Sequence, residues 1–132
     1  MINIESFLDD IRKSVRISGC DNARFFAWTF FYLGSDESIA IRVTEDDEGC
    51  VVFSDCHTTA DYLEARDIDL NDCHDVLDKI VKRFGLIKDG NVFRMKIPVM
   101  SGEIGQTDAD YRLRLYLGYF IQALTLVAYI DL

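Results

Sequence analysis

The chain has few residues that interrupt regular structure, with one proline and eight glycines among 132 residues. That composition excludes collagen-like, low-complexity and wholly disordered chains. Basic residues are also few, since 14 lysines and arginines face 23 acidic residues and leave a net charge of −9. Nucleic-acid backbones are held by clustered basic side chains, so this shortage predicts no direct binding to nucleic acid.

Cysteine pairs and targeting signals are missing as well. The four cysteines include no Cys-x-x-Cys pair and are too few for a disulfide scaffold, which indicates a reducing compartment. The first ten residues, MINIESFLDD, contain no basic segment followed by an apolar run, so we expect no secretory signal and a cytoplasmic location. The 16 uncharged residues 115–130 fall short of the roughly 20 that a membrane span needs, and we expect no membrane contact.

The apolar pattern predicts a single α+β domain over residues 1–132, since 49% of the residues are apolar and no composition break divides them. Apolar residues spaced by three and four between Ile4 and Val15 predict an N-terminal helix that Gly19 closes. An aromatic run over residues 24–33 and alternating apolar residues over 39–43 and 50–53 predict three strands.

The second half of the chain has the pattern of two central helices, a hairpin and a long apolar C-terminal helix. The helices are predicted from Thr58 to about Arg66 and from about Val76 to Phe84, where Gly85 ends the second. Asp89-Gly90 predicts a hairpin, and Thr107 starts the last helix, which reaches about Ile130. Together these elements predict a mixed or antiparallel sheet of about five strands.

Short motifs in the centre of the chain resemble an uncharacterised family of prokaryotic and phage proteins, domain of unknown function 1828. The matching residues are Ser54-Asp55-Cys56-His57-Thr58-Thr59, Leu63 and Phe84-Gly85-Leu86. Cys56 and His57 stand where the family has an aspartate and a glycine. The resemblance implies a phage or mobile-element accessory protein and supplies no established activity.

The acidic residues are concentrated in the middle third of the chain. Residues 36–78 contain 14 acidic residues and only Arg42 and Arg66 as basic ones. This imbalance predicts either a solvated face that keeps the protein soluble or an acidic surface for a basic protein partner, including a mimic of nucleic acid. The residues expected to form that surface are Glu45, Asp46, Asp47, Glu48, Asp67, Asp69, Asp72 and Asp75.

The segment from Asp67 to Asp78 has the alternating oxygens of a calcium loop, with Asp67, Asp69 and Asn71 as candidate ligands. Asp72 stands where such a loop requires glycine, and Asp78 replaces the usual bidentate glutamate. A polar turn that complements the next helix N-terminus is the alternative, and we expect neither a metal nor another cofactor.

An enzyme remains an alternative hypothesis from a different functional class. Asp55 with Asp61 or Glu64 has the carboxylates of a magnesium-dependent hydrolase or nuclease. Cys56 with His74 is a candidate nucleophile and base, whereas Cys56-His57 and Cys73-His74 lack zinc-ligand spacing. We favour a non-enzymatic accessory protein that binds a partner with a basic surface, with the C-terminal helix available for a homodimer.

Overall fold

The computed structural model describes residues 4, 16–20, 23–28, 39–98 and 106–130. Within these ranges the chain forms six strands, three α-helices and one 3₁₀ helix. The strands are β1 (Arg16–Cys20), β2 (Ala23–Trp28), β3 (Ile39–Glu45), β4 (Cys50–Ser54), β5 (Ile87–Asp89) and β6 (Val92–Pro98). The helices are α1 (Thr58–Glu64), the 3₁₀ helix (Leu70–Cys73), α2 (His74–Phe84) and α3 (Gln106–Ala128).

All described strands belong to one antiparallel sheet in the order β1-β2-β3-β4-β6-β5. The α+β class is therefore confirmed, but the expected count of about five strands is wrong because β1 adds a sixth. Gly19, predicted to close the N-terminal helix, pairs with Arg24 in the β1–β2 ladder. Only Ile4 of that helix is described, where it is helical, and the remainder lies outside the described residues, so the helix is not confirmed.

One face of the sheet is buried because apolar residues alternate with polar ones along its central strands. Val43, Phe53 and Met95 lie opposite one another across β3, β4 and β6 and are buried. Their neighbours Arg42, Ser54 and Arg94 lie on the other face and are partly or fully exposed. The sheet therefore has one face toward the helices and one open to solvent.

The C-terminal helix α3 packs against α1, α2 and β6 and completes the core. Its inward side places Leu113, Leu117, Phe120 and Leu124 in the core, and the Phe120 ring lies 5.9 Å from that of Phe53. Several large apolar side chains on the other side of α3 are exposed. No helix in the described ranges is both long enough and apolar enough to cross a membrane.

Two glycines end or reverse elements where the sequence predicted them. Gly85 has a φ of 65° at the end of α2, and its N–H donates to the Lys82 carbonyl while that of Leu86 donates to the Val81 carbonyl. Gly90 has a φ of 59° in the tight turn between β5 and β6. Both are left-handed positions where glycine avoids a steric penalty, so these two predictions are confirmed.

Candidate functional site

Asp55 follows β4 and is completely buried. Its Oδ1 accepts hydrogen bonds from the backbone N–H of Phe93 at 3.0 Å and of His57 at 3.1 Å, and its Oδ2 accepts from the N–H of Thr59 at 3.4 Å. The first bond joins the start of β6 to residue 55, and the other two organise the entry to α1. Asp55 therefore acts as an internal acceptor for backbone groups.

Burial raises the pKa of Asp55, because the charged carboxylate loses solvation. The N–H groups of Phe93, His57 and Thr59 favour the charged form and oppose that rise. The Thr59 hydroxyl is buried beside this carboxyl without a well-formed hydrogen bond. A carboxylate enclosed in this way has little free surface for a metal ion or a substrate.

Cys56 and His57 form a tight turn between Asp55 and α1. Their φ angles are 53° and 69°, and the Thr58 N–H donates to the Asp55 carbonyl at 3.0 Å. Two successive left-handed residues are the geometry of a type I′ turn, which favours Asn-Gly or Asp-Gly over Cys-His. The unusual residue pair therefore adds backbone strain at the start of α1.

The candidate thiol nucleophile lacks both a lowered pKa and its expected base. Burial raises the pKa of Cys56, and the Asp55 charge adds to that rise. The Cys56 thiol contacts the Ser54 carbonyl, whereas His74 contacts the Asn71 carbonyl and Asp75. The structure thus does not unite Asp55, Cys56 and His74 in a catalytic arrangement.

The candidate metal ligands are also separate among the residues that the structure describes. Asp61 lies 2.7 Å from the His57 ring, and Asp69 accepts the Asn71 N–H as the cap of the 3₁₀ helix. The one group of three convergent histidine, cysteine or carboxylate donors found in the described ranges is Asp46, Glu48 and Cys50, which includes none of Asp55, Asp67 or Asp69. The calcium and magnesium hypotheses therefore gain no support from donor geometry.

The acidic turn between β3 and β4 forms ion pairs with the side chain of Lys96. Lys96 Nζ lies 3.2 Å from Asp46 and 2.9 Å from Glu48. The hydrogen bonds that Lys96 donates to Glu48 and Asp46 raise the pKa of Lys96, and the hydrogen bond from the Cys50 N–H is the main cause of the lowered pKa of Asp46. Lys96 therefore neutralises part of the turn that was expected to contact a partner.

The acidic residues expected to share one surface form two groups at opposite ends of β4. The Glu45–Glu48 turn precedes β4, whereas Asp55 follows it and leads into the helical acidic segment. A strand of five residues spans about 17 Å. The two groups therefore connect to opposite ends of β4, and their sharing of one surface stays a prediction.

The helical acidic group surrounds a cavity of about 410 Å³ beside the α1–α2 connection. Its lining residues are Ala60, Glu64, Asp67, Ile68, Asp69, Leu70 and Asn91. Glu64, Asp67 and Asp69 are exposed, whereas Ala60 and Leu70 are buried beneath them. No lysine or arginine in the described part of the chain forms an ion pair with these three carboxylates. The cavity thus combines an apolar floor with an acidic rim.

The folded backbone brings together residues that sequence reasoning placed apart. Asp67 has a φ of 60°, and the Ile68 N–H donates to the Leu63 carbonyl, so the chain reverses after α1. Asn91 reaches the cavity from the β5–β6 turn. Asp67 and Asp69 were predicted as partner contacts, Glu64 only as a metal ligand, and Asn91 carried no sequence signal.

Comparisons with protein-family models, with curated proteins and with solved structures found no match to this chain.

Proposed function

We propose that this chain binds a partner protein through the acidic cavity, which receives a lysine or arginine side chain. The observation that carries the proposal is the concave arrangement of Glu64, Asp67 and Asp69 around apolar residues. Long basic side chains match this site because their aliphatic stems pack on apolar surface while their charged ends meet carboxylates. Asp72 and Asp75 extend the same negative charge along the exposed surface.

The shape of the site distinguishes this proposal from general solubility. A solvated acidic face requires only dispersed charge, whereas this cavity is concave and has the buried apolar residues Ala60 and Leu70 in its lining. Because no lysine or arginine in the described ranges pairs with the three rim carboxylates, these attract an incoming cation, which mainly increases association rate and specificity.

The biological setting of this interaction is part of the proposal. We place the protein in the cytoplasm as an accessory factor of a phage or mobile element, on the resemblance to domain of unknown function 1828. The left-handed backbone at Cys56 and His57 supports that resemblance, because the family's aspartate and glycine suit those two positions.

The test measures fluorescence anisotropy of a labelled arginine-rich peptide at about 0.15 M salt. Glu64→Gln, Asp67→Asn and Asp69→Asn are combined to remove the rim charge while keeping polar side chains. We expect the Kd to rise by about tenfold or more, which corresponds to roughly 1.4 kcal/mol of lost attraction.

A matched control removes the same number of charges at the opposite end of β4, through Glu45→Gln, Asp47→Asn and Glu48→Gln. This control variant should bind the peptide within about twofold of the unaltered chain, because exposed charges beyond a Debye length are screened. Equal weakening by both variants would show attraction to net charge alone and overturn the cavity proposal. Circular dichroism of both variants establishes that each remains folded.

A further inference from the structure

The outer side of α3 carries a stripe of exposed apolar residues that the core does not use. The stripe comprises Tyr111, Leu115, Gly118, Tyr119 and Leu126, with the polar Gln122 among them. Positions 111, 115, 118, 122 and 126 recur at intervals of three and four, the spacing by which one helix packs along another, and Tyr119 lies beside Gly118. Tyr111 is 63% exposed and Leu126 is 44% exposed, so the stripe is open at both ends.

A cavity of about 380 Å³ lies beside the stripe, between α3 and the end of α2. It is lined by Arg83, Phe84, Tyr116, Tyr119 and Gln122. The rings of Tyr116 and Tyr119 meet edge to face with their centroids 5.8 Å apart, which gives the cavity an aromatic wall. Tyrosine and arginine are enriched in the centres of protein interfaces, where they combine apolar area with hydrogen bonding.

From this surface we infer that α3 forms an antiparallel homodimer with α3 of a second copy. Charge is the first reason, because the chain carries −9 and two copies repel wherever their acidic surfaces face each other. From Tyr111 to Ala128 the helix contains no acidic residue. Its outer side is therefore a place where two copies can meet without opposing carboxylates.

The direction of pairing follows from the position of Arg112 and Arg114 in the first half of the helix. A two-fold axis near Gly118 and Tyr119 places the two copies of Arg112 about 20 Å apart along the helix axes. That separation exceeds the Debye length of about 8 Å at physiological ionic strength. Arg112, which donates to the Pro98 carbonyl of its own copy, then lies level with the last turn of the partner helix, where the helix dipole is negative. Parallel pairing would instead bring like charges together.

Shape also favours this axis. The two-fold brings Tyr111 of one copy level with Leu126 of the other, so both ends of the stripe are covered. At the centre, the space around Gly118 is open to at least 4 Å from an added Cβ, so the two backbones can approach closely. The inference does not depend on the acidic cavity, which is formed by α1, the α1–α2 connection and the β5–β6 turn.

Sedimentation velocity between about 1 and 100 µM tests the inference on the full chain. The unaltered 15.1-kDa chain should shift to twice its mass as concentration rises. Leu115→Glu places a charge in the middle of the stripe and should weaken dimerisation by tenfold or more. Val76→Glu, at an exposed apolar residue on α2 outside the stripe, should leave the mass shift unchanged.

A second measurement does not depend on the fold of a charged variant. Gly118→Cys should form a disulfide-linked dimer on mild oxidation, whereas Val76→Cys should yield no more cross-linked dimer than the unaltered chain. A chain that stays monomeric at every concentration, with no cross-link at position 118, would overturn the inference and leave the stripe to a foreign partner. Equal loss of dimer in Leu115→Glu and Val76→Glu would overturn it as well.

Discussion

The role of Asp55 is set by burial and by the direction of neighbouring N–H groups. At the end of a strand and just before a helix, an aspartate satisfies the sequence pattern of a metal ligand, a catalytic acid or a cap. The structure gives it backbone partners from residues 57, 59 and 93, so its main effect is on the fold. An enclosed carboxyl of this kind makes stability depend on pH.

We expect Asp55→Asn to reveal that dependence. Because burial raises the folded pKa of Asp55 above its ordinary value of 3.8, the unfolded chain releases this proton at lower pH than the folded chain. Stability from the protonated carboxyl is therefore present below pH 3.8 and is lost as pH rises through the raised folded pKa. Urea unfolding of both proteins between about pH 3 and pH 7 measures the effect.

The stability advantage of the unaltered chain over Asp55→Asn should accordingly shrink as pH rises through that window. Asp78→Asn is the matched control, since Asp78 is an exposed carboxylate on α2. An advantage for Asp55 that grows with pH would contradict the predicted sign, and would show that the N–H groups outweigh desolvation.

Local residue chemistry also marks the limit of what the sequence could predict. Gly85 and Gly90 were identified correctly because a positive φ is a requirement of one residue and its immediate neighbours. The bond from Phe93 to Asp55 joins residues 38 positions apart, so no local pattern predicts it. The same applies to Asn91, which reaches the acidic cavity through the β5–β6 turn.

At the scale of elements, the three helices after residue 57 were predicted within about two residues of their bounds, whereas the N-terminal helix is not confirmed. The amphipathic spacing of Leu77, Ile80 and Phe84 determines α2 almost alone, since a helix buries one stripe. β1 was missed because Arg16–Cys20 has too few apolar residues to signal a strand and pairs instead through β2. The acidic residues were assigned to one surface from their shared charge, although β4 lies between the two groups in the chain.

A comparison of two glycines separates the effect of backbone conformation on stability from the effect of an added methyl group. Gly85 and Gly118 both have open space where a Cβ would be added, but only Gly85 has a positive φ. We expect Gly85→Ala to lower the free energy of unfolding by about 1 kcal/mol, because alanine is strained in the left-handed region. Gly118→Ala should raise it by about 0.5–1 kcal/mol, because alanine favours the helix interior.

Chemical denaturation measures both glycine variants at a protein concentration low enough for the monomer to dominate. The opposite signs separate the effect of φ from the effect of an added methyl group. Stabilisation by Gly85→Ala would show that α2 does not end in the left-handed conformation. Destabilisation by Gly118→Ala would show that the surroundings of α3 are crowded at that point.

At the scale of the molecule, one sheet face and three helices share a single core in the described part of the chain. β4 lies in the interior of the sheet between β3 and β6, and Val51 and Phe53 on it are completely buried. β5 lies at an edge, has three residues, and all of them are exposed. The two proposed contact surfaces, the acidic cavity and the α3 stripe, therefore lie outside the most rigid part of the fold.

Hydrogen exchange should follow this gradient in burial. We expect the amides of Val51 and Phe53 to exchange only through global unfolding, and those of Lys88 and Asp89 to exchange through local opening at the edge. For a domain with a stability of about 5–10 kcal/mol, the protection factors of the two strands should differ by at least about 100-fold. Exchange measured by NMR at several urea concentrations distinguishes the two modes, because global opening depends more steeply on denaturant. Equal protection of β4 and β5 would mean that the edge strand belongs to the same cooperative unit as the core, and that the molecule opens only as a whole.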